Sequence, residues 1–169
     1  NVTGELNSIV FRGEKVQIAL SEGKPNKVSI SKNSKITFAD DSYLEGEKIS
    51  LFESEAGWSF EVTGDSTYKT DSTSLRARII TGIMADGEKQ EDDSEGQTTE
   101  KFVAKEDVRL THTDWSLNSN HLELVTGGEA RKVTATGEVE LTAGDFSIKG
   151  ESLSGEGIDG DSTETLRLT

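Results

Sequence analysis

The chain has no cysteine and a single proline among its 169 residues. The first absence removes disulfide stapling and thiol catalysis while leaving the compartment open. Aromatic residues are scarce at 6%, and hydrophobic residues reach only 31%, too few for a thick globular core. No run approaches the roughly 20 apolar residues that a membrane-crossing helix needs. Asn1 is followed by no charged start and apolar run, so no signal peptide is read; the expectation is a mature or trimmed piece of a longer protein. Bases are few as well: 18 Lys and Arg stand against 32 Asp and Glu, for a formal charge of −14. Such a surface repels a phosphate backbone, so nucleic acid is not an expected partner.

What is present is alternation. Val16 and Ile18, Ile36 and Phe38, Trp58, Phe60 and Val62, Leu122 and Leu124, and Val139 and Leu141 recur with a period of two, the signature of strands with one apolar face. Between them lie Lys32-Asn33-Ser34, Gly64-Asp65, Gly127-Gly128, Ala143-Gly144-Asp145 and Gly160-Asp161, turn-forming clusters that predict short strands with frequent reversals. No helical periodicity interrupts them, and length favours one domain over residues 1–169.

The chain also aligns with itself. Phe11-Arg12-Gly13-Glu14-Lys15-Val16-Gln17-Ile18 returns as Leu44-Glu45-Gly46-Glu47-Lys48-Ile49-Ser50-Leu51 and as Ile148-Lys149-Gly150-Glu151-Ser152-Leu153-Ser154. Looser copies begin at Leu75-Arg76-Ala77-Arg78 and at Leu110 through Leu117, so the starts are 33, 31, 35 and 38 residues apart. Each period holds two or three strands. The glycines Gly13, Gly46 and Gly150 are expected to bend their strands at one level of the stack.

At this repeat, and at Thr136-Gly137-Glu138-Val139-Glu140-Leu141 leading into Ile148 through Leu153, the sequence resembles the OstA-like lipopolysaccharide-transport family, whose members include LptA, the periplasmic part of LptC and the N-terminal domain of LptD. Gly64-Asp65-Ser66-Thr67-Tyr68 and Gly128-Glu129-Ala130 resemble its opening step. The chain departs from the family in having Gly-Glu where Ala-Asp is usual, and in an acidic insertion. The resemblance implies an all-β fold, an incompletely closed antiparallel β-jelly roll or folded-over sheet built from about five strand repeats. It further implies a non-enzymatic lipid carrier or bridge component of the periplasm, without cofactor, holding acyl chains of lipopolysaccharide or a related glycolipid for transport to the outer membrane. Candidate lining residues are Val16, Ile18, Ile36, Phe38, Ile49, Leu51, Phe60, Val62, Trp115, Leu117, Leu122, Leu124, Val139, Leu141, Phe146, Ile148 and Leu153; each could equally be ordinary packing between sheets. The outermost runs, Ile9 with Phe11 and Leu166 with Leu168, are candidates for edge-strand pairing with further copies or with other bridge proteins.

Other features are read more plainly. Asp86 to Glu100 carries seven acids against Lys89 alone and is expected to be a flexible acidic loop; Asp92, Asp93 and Glu95 lack the full spacing of a calcium loop. His112 and Asp114 fall on one side of a strand, but no nucleophile elbow accompanies them, and a surface histidine is expected. Asp40-Asp41 reads as turn chemistry, as does Gly157-Ile158-Asp159-Gly160-Asp161. Two further functions fit the repeats: a structural β-solenoid scaffold, and a carbohydrate-binding jelly roll using Trp58 and Trp115 as platforms.

Overall fold

A computed structural model of the chain describes residues 1–6, 9–38, 41–54, 57–84, 100–126, 130–158 and 165–168. These residues form twelve strands: β1 (Val2–Leu6), β2 (Ile9–Gly13), β3 (Lys15–Ser21), β4 (Lys24–Thr37), β5 (Tyr43–Ser54), β6 (Gly57–Lys69), β7 (Thr73–Met84), β8 (Glu100–His112), β9 (Trp115–Thr126), β10 (Ala130–Ala143), β11 (Phe146–Ile158) and β12 (Thr165–Leu168). All pair antiparallel in one open sheet, and β2 and β3 lie end to end along β4, so the order runs eleven strands deep without closing. Of the expected acidic loop, residues 86–99 with the candidate calcium ligands Asp92, Asp93 and Glu95 lie outside the described residues, while Glu100 opens β8; Gly127-Gly128, Glu129 and Gly160-Asp161 also lie outside them.

The strands are longer than their turn signals suggested. Lys32-Asn33 and Gly64-Asp65 do not reverse the chain; each is a bulge in the middle of a strand of 14 or 13 residues. The physical reason is a pair of consecutive left-handed residues, which swings a strand without turning it back. Four such pairs occur at one level: Lys32-Asn33 in β4, Gly64-Asp65 in β6, Glu106-Asp107 in β8 and Gly137-Glu138 in β10, all with φ between 45° and 76°. Each pair opposes one residue of the next strand, which is Glu47, Arg78, Asn120 or Glu151 in turn. Those residues follow Gly46, Ala77, Ser119 and Gly150, so a small side chain sits inside every bend. Buried serines complete the level: the Ser34 hydroxyl donates to the Glu47 carbonyl at 3.2 Å and the Ser66 hydroxyl to the Arg78 carbonyl at 3.2 Å, satisfying backbone groups that the bulges free from the ladder.

This level also corrects one copy of the repeat. Leu110 and Leu117 are cross-strand partners either side of the β8–β9 turn, so Leu110 to Leu117 is not one bent strand. The equivalent run is Leu117-Asn118-Ser119-Asn120, 42 residues after Leu75 and 31 before Ile148. The longer interval contains the acidic insertion, which displaced the alignment.

Bending the long strands β4–β11 at one level divides the sheet into two wings. Wing A holds β1, β2 and the adjoining arms through Phe146–Gly150; wing B holds β3, the other arms and β12. Side chains of both wings form one core, in which Ile30, Ile36, Leu44, Ile49, Leu51, Val62 and Ile80 have no exposed surface. One face of a lone sheet cannot be so covered, and no other layer exists among the described residues, so the wings cover each other. Tyr68 of wing A stacking on Phe102 of wing B, with ring centroids 4.6 Å apart, joins them directly.

Gly64, at φ 75°, tests how much the bulge depends on glycine. Lys32 and Glu106 hold the equivalent place at φ 62° and 63°, so a side chain is tolerated there. Gly64→Ala is expected to cost only about 1 kcal/mol in urea unfolding, with the Glu47 side chain, whose nearest atoms would lie 2.6 Å from the new Cβ, moving aside.

Candidate functional site

The inner face is built of ladders that run across the whole sheet. In wing B, Ile18, Val28, Leu51, Phe60, Gly82, Phe102, Leu124, Val133, Gly155 and Leu166 are successive cross-strand partners. A second row joins Val16, Ile30, Ile49, Val62, Ile80, Ala104, Leu122, Ala135, Leu153 and Leu168 by the same pairings. In wing A, Gly4, Phe11, Ile36, Leu44, Tyr68, Leu75, Leu110, Leu117, Leu141 and Ile148 form the third. No charged side chain enters any of them. Period-two alternation creates this, because each strand contributes one face and the bulges restore register between neighbours.

The sequence-derived lining residues all fall in or beside these rows, but in three different settings. Ile36, Ile49, Leu51, Phe60, Val62, Leu117, Leu122, Val139, Leu141 and Leu153 are buried against the opposite wing. Phe38, Trp115 and Leu124 are half-buried toward the strand ends remote from the bend, with Tyr68 and Val133, all packed against the core; Val16 is half-buried on β3. Ile18 and Phe146 are not interior at all: they are 51% and 57% exposed. They point to the inner side but stand on β3 and β11, the outermost strands of their wings, where no further strand covers them; Ile148 beside Phe146 is half-buried. Sequence alternation reports which face a residue takes and carries no signal for its distance from the sheet's end.

Searched against models of known families and against curated proteins, the chain matches none.

The ends differ from expectation too. Ile9 and Phe11 do not form the outer edge, because β1 pairs with β2 through Leu6↔Ile9 and Gly4↔Phe11 and lies outside it; Phe11 is buried beneath β1. The short run Val2–Leu6, centred on Gly4, gave no alternating signal of its own. Leu166 and Leu168 stand on β12, last in the order, paired with Gly155 and Leu153. At the first end, wing A therefore projects one strand beyond wing B, since β1 lies outside β2 whereas no strand among the described residues lies outside β3. At the last end the projection is reversed: β12 extends wing B, whereas Phe146–Gly150 is the outermost arm of wing A.

Two shallow concavities of about 500 and 330 Å³ lie outside this apolar face. One is polar, at the bend among Lys32, Asn33, Glu47, Lys48 and Asp65; the other spans Phe52, Glu61, Ile83, Lys101 and Val103 on the outer side of wing B. His112 is half-buried rather than a surface residue, its ring stacked on Trp115 at 5.5 Å, and its buried Nδ1 has no hydrogen-bond partner, so Asp114 does not orient it. Trp58 is 6% exposed, and half-buried Trp115 has its ring stacked on His112.

Proposed function

We propose that the chain is a non-enzymatic carrier of hydrocarbon chains, which it takes between the two wings and passes along rows that continue from one copy to the next. The observation carrying this reading is that the apolar rows run across the open sheet, with Ile18 exposed where the first row begins and Phe146 exposed beside Ile148, the last member of the third. Contacts of this kind are non-directional, contributing roughly 25 cal/mol per Å² buried, so an acyl chain can slide without deep wells. The half-buried Phe38, Tyr68, Trp115, Leu124 and Val133 line the seam at which the wings would separate to admit it. On this reading the sheet is an incompletely closed jelly roll of about five strand repeats, consistent with the OstA-like resemblance, and works in the periplasm on lipopolysaccharide or a related glycolipid. The saccharide head group stays in water, where the acidic exterior does not confront it with buried charge.

Assembly belongs to the same proposal. Next to β11 of one copy, β1 of another would run antiparallel, and β3 would do so next to β12, because β1 and β3 both run away from a bend end at which Gly150 and Leu168 terminate the other pair. The projecting wing at one end fits the recessed wing at the other, and exposed strand edges are covered in both.

The closely packed interior, with side chains such as Ile49 and Val62 lacking any exposed surface, favours a second reading, a scaffold that polymerises without cargo. Mass spectrometry of the native protein after extraction separates the two. Acylated lipid recovered in fixed ratio to the chain supports the carrier, and a lipid-free preparation that forms filaments overturns it. A glycan retained without lipid would favour the carbohydrate-binding alternative.

A further inference from the structure

On the outer face of wing A, Arg76 of β7 and Arg109 of β8 are direct cross-strand partners, both exposed. Residues so placed have Cβ atoms about 5 Å apart, and like charges there repel. The juxtaposition is unexpected in a chain with 32 acids for 18 bases. Several other bases meet acids, Lys101 with Glu123 at 2.6 Å, Lys149 with Glu140 at 3.1 Å and Arg78 with Asp107 at 3.0 Å; the other cationic pair on this row, Arg12 and Lys35, has Glu45 as the next partner of Lys35, whose ammonium lies over the Tyr43 ring. The direct cross-strand flanks of the arginine pair are neutral hydrogen-bonding side chains, and toward the bend the pair is followed by the Arg78–Asp107 ion pair. Thr67 flanks Arg76 and Asn118 flanks Arg109 across the strands, while Ser74 and Thr111 adjoin them along the strands and pair with each other. Lys69, partner of Ser74, adds a third exposed cation on the diagonal. Carboxylates border the pair at one remove: Glu45 and Glu140 follow Thr67 and Asn118 in the same row, and Asp65, Glu106 and Asp107 gather at the bend around Arg78, where their charges raise its pKa, with the Asp107 hydrogen bond the largest cause.

We infer that Arg76, Arg109 and Lys69 form a binding site for a phosphate monoester carried on the outer face, independent of whatever fills the interior. Paired guanidinium groups present parallel N–H donors that match phosphate oxygens, and a bound dianion turns the repulsion between them into attraction. Hydroxyl and amide groups of Thr67, Ser74, Thr111 and Asn118 supply further donors beside the pair. A sequence pays stability for a local conflict of this kind where the site has a use.

The test is a titration of the ¹⁵N-labelled full chain with inorganic phosphate at constant ionic strength, paired with flotation on phosphatidylcholine vesicles with and without phosphatidic acid. Saturable shifts of the Thr67, Arg76, Arg109 and Asn118 amides are expected, and R76Q/R109Q should weaken binding roughly tenfold. R12Q changes the same charge on the same outer row and should leave it unaltered. Flotation dependent on phosphatidic acid identifies a lipid head group as the source of the phosphate; binding of inorganic phosphate without flotation identifies a soluble phosphate ester. Non-saturating shifts spread over all bases, equal weakening by R12Q, or tighter binding of polyglutamate than of phosphate at the pair would each overturn the assignment. A second readout separates ligand binding from fold damage: without phosphate, R76Q should melt no lower than the unaltered chain at low salt, since it removes a repulsion, and phosphate should raise the melting temperature of the unaltered chain but not of R76Q/R109Q.

Discussion

Gly82→Ala is expected to destabilise the protein by about 2 kcal/mol, the largest effect of any single methyl group added to the sheet. Gly82 stands between Phe60 and Phe102 in the first row of wing B, and the Phe60 ring lies across the space that its missing side chain leaves. A Cβ at this position would come within 2.3 Å of Phe60 Cζ and 2.8 Å of the Lys101 carbonyl oxygen. Neither neighbour yields easily. The carbonyl belongs to the paired backbone of β8, and Phe60 is 2% exposed, wedged against Phe102 with ring centroids 5.7 Å apart. Phe102 is held in turn by Tyr68 from the opposite wing, so strain at Gly82 spreads into the contact that joins the wings. Phe60→Leu in the G82A background should recover part of the loss, with a coupling of about 1 kcal/mol in urea denaturation. The recovery is partial because the Lys101 carbonyl stays in place. Strictly additive losses would show that the Phe60 ring does not depend on the glycine.

Strand period and inner face were legible in the sequence because they depend on local alternation alone. Val16, Ile18, Ile36, Ile49, Leu51, Phe60 and Val62 all take the inner side, as period two demands. The repeat showed where the bends are, since Gly13, Gly46 and Gly150 place their glycine at one level. What hid the true strand length was chemical ambiguity: Lys32-Asn33 and Gly64-Asp65 use the same left-handed backbone whether they turn a hairpin or bulge a strand, and only pairing on both sides distinguishes them. The outer arginine pair was invisible for a related reason. Arg76 and Arg109 are 33 residues apart, and their meeting is fixed by one bulge, Ala77-Arg78 opposite Glu106 to Val108, across which the register shifts. Exposure at the ends also lay beyond reach, because Val16 and Ile18 alternate like Ile49 and Leu51 yet have a strand on one side only.

The ends supply the last prediction, because their exposure is where a carrier bridge and an isolated domain diverge. Ile18→Lys together with Phe146→Lys should abolish concentration-dependent self-association in sedimentation velocity while leaving far-UV circular dichroism unchanged. In the single chain both side chains are more than half exposed, so lysine there costs the fold little, within about 0.5 kcal/mol. At a joint where β3 meets β12 and β1 meets β11, each would lose its remaining contact with water. Covering half of an Ile or Phe contributes about 1 kcal/mol, and an inward-pointing lysine adds a desolvation penalty on top, the device by which natural sheets keep their edges apart. Each substitution alone should therefore weaken association roughly tenfold or more. Ile83→Lys is the control, since Ile83 is 38% exposed on the outer side of wing B, away from both ends. Should I83K dissociate the assembly as well as I18K does, association runs through the outer face and the rows do not continue from copy to copy. Should I18K/F146K associate like the unaltered chain, the staggered wings are not the joint, and a hydrocarbon chain leaving one molecule at Phe146 has no apolar row ahead of it to enter.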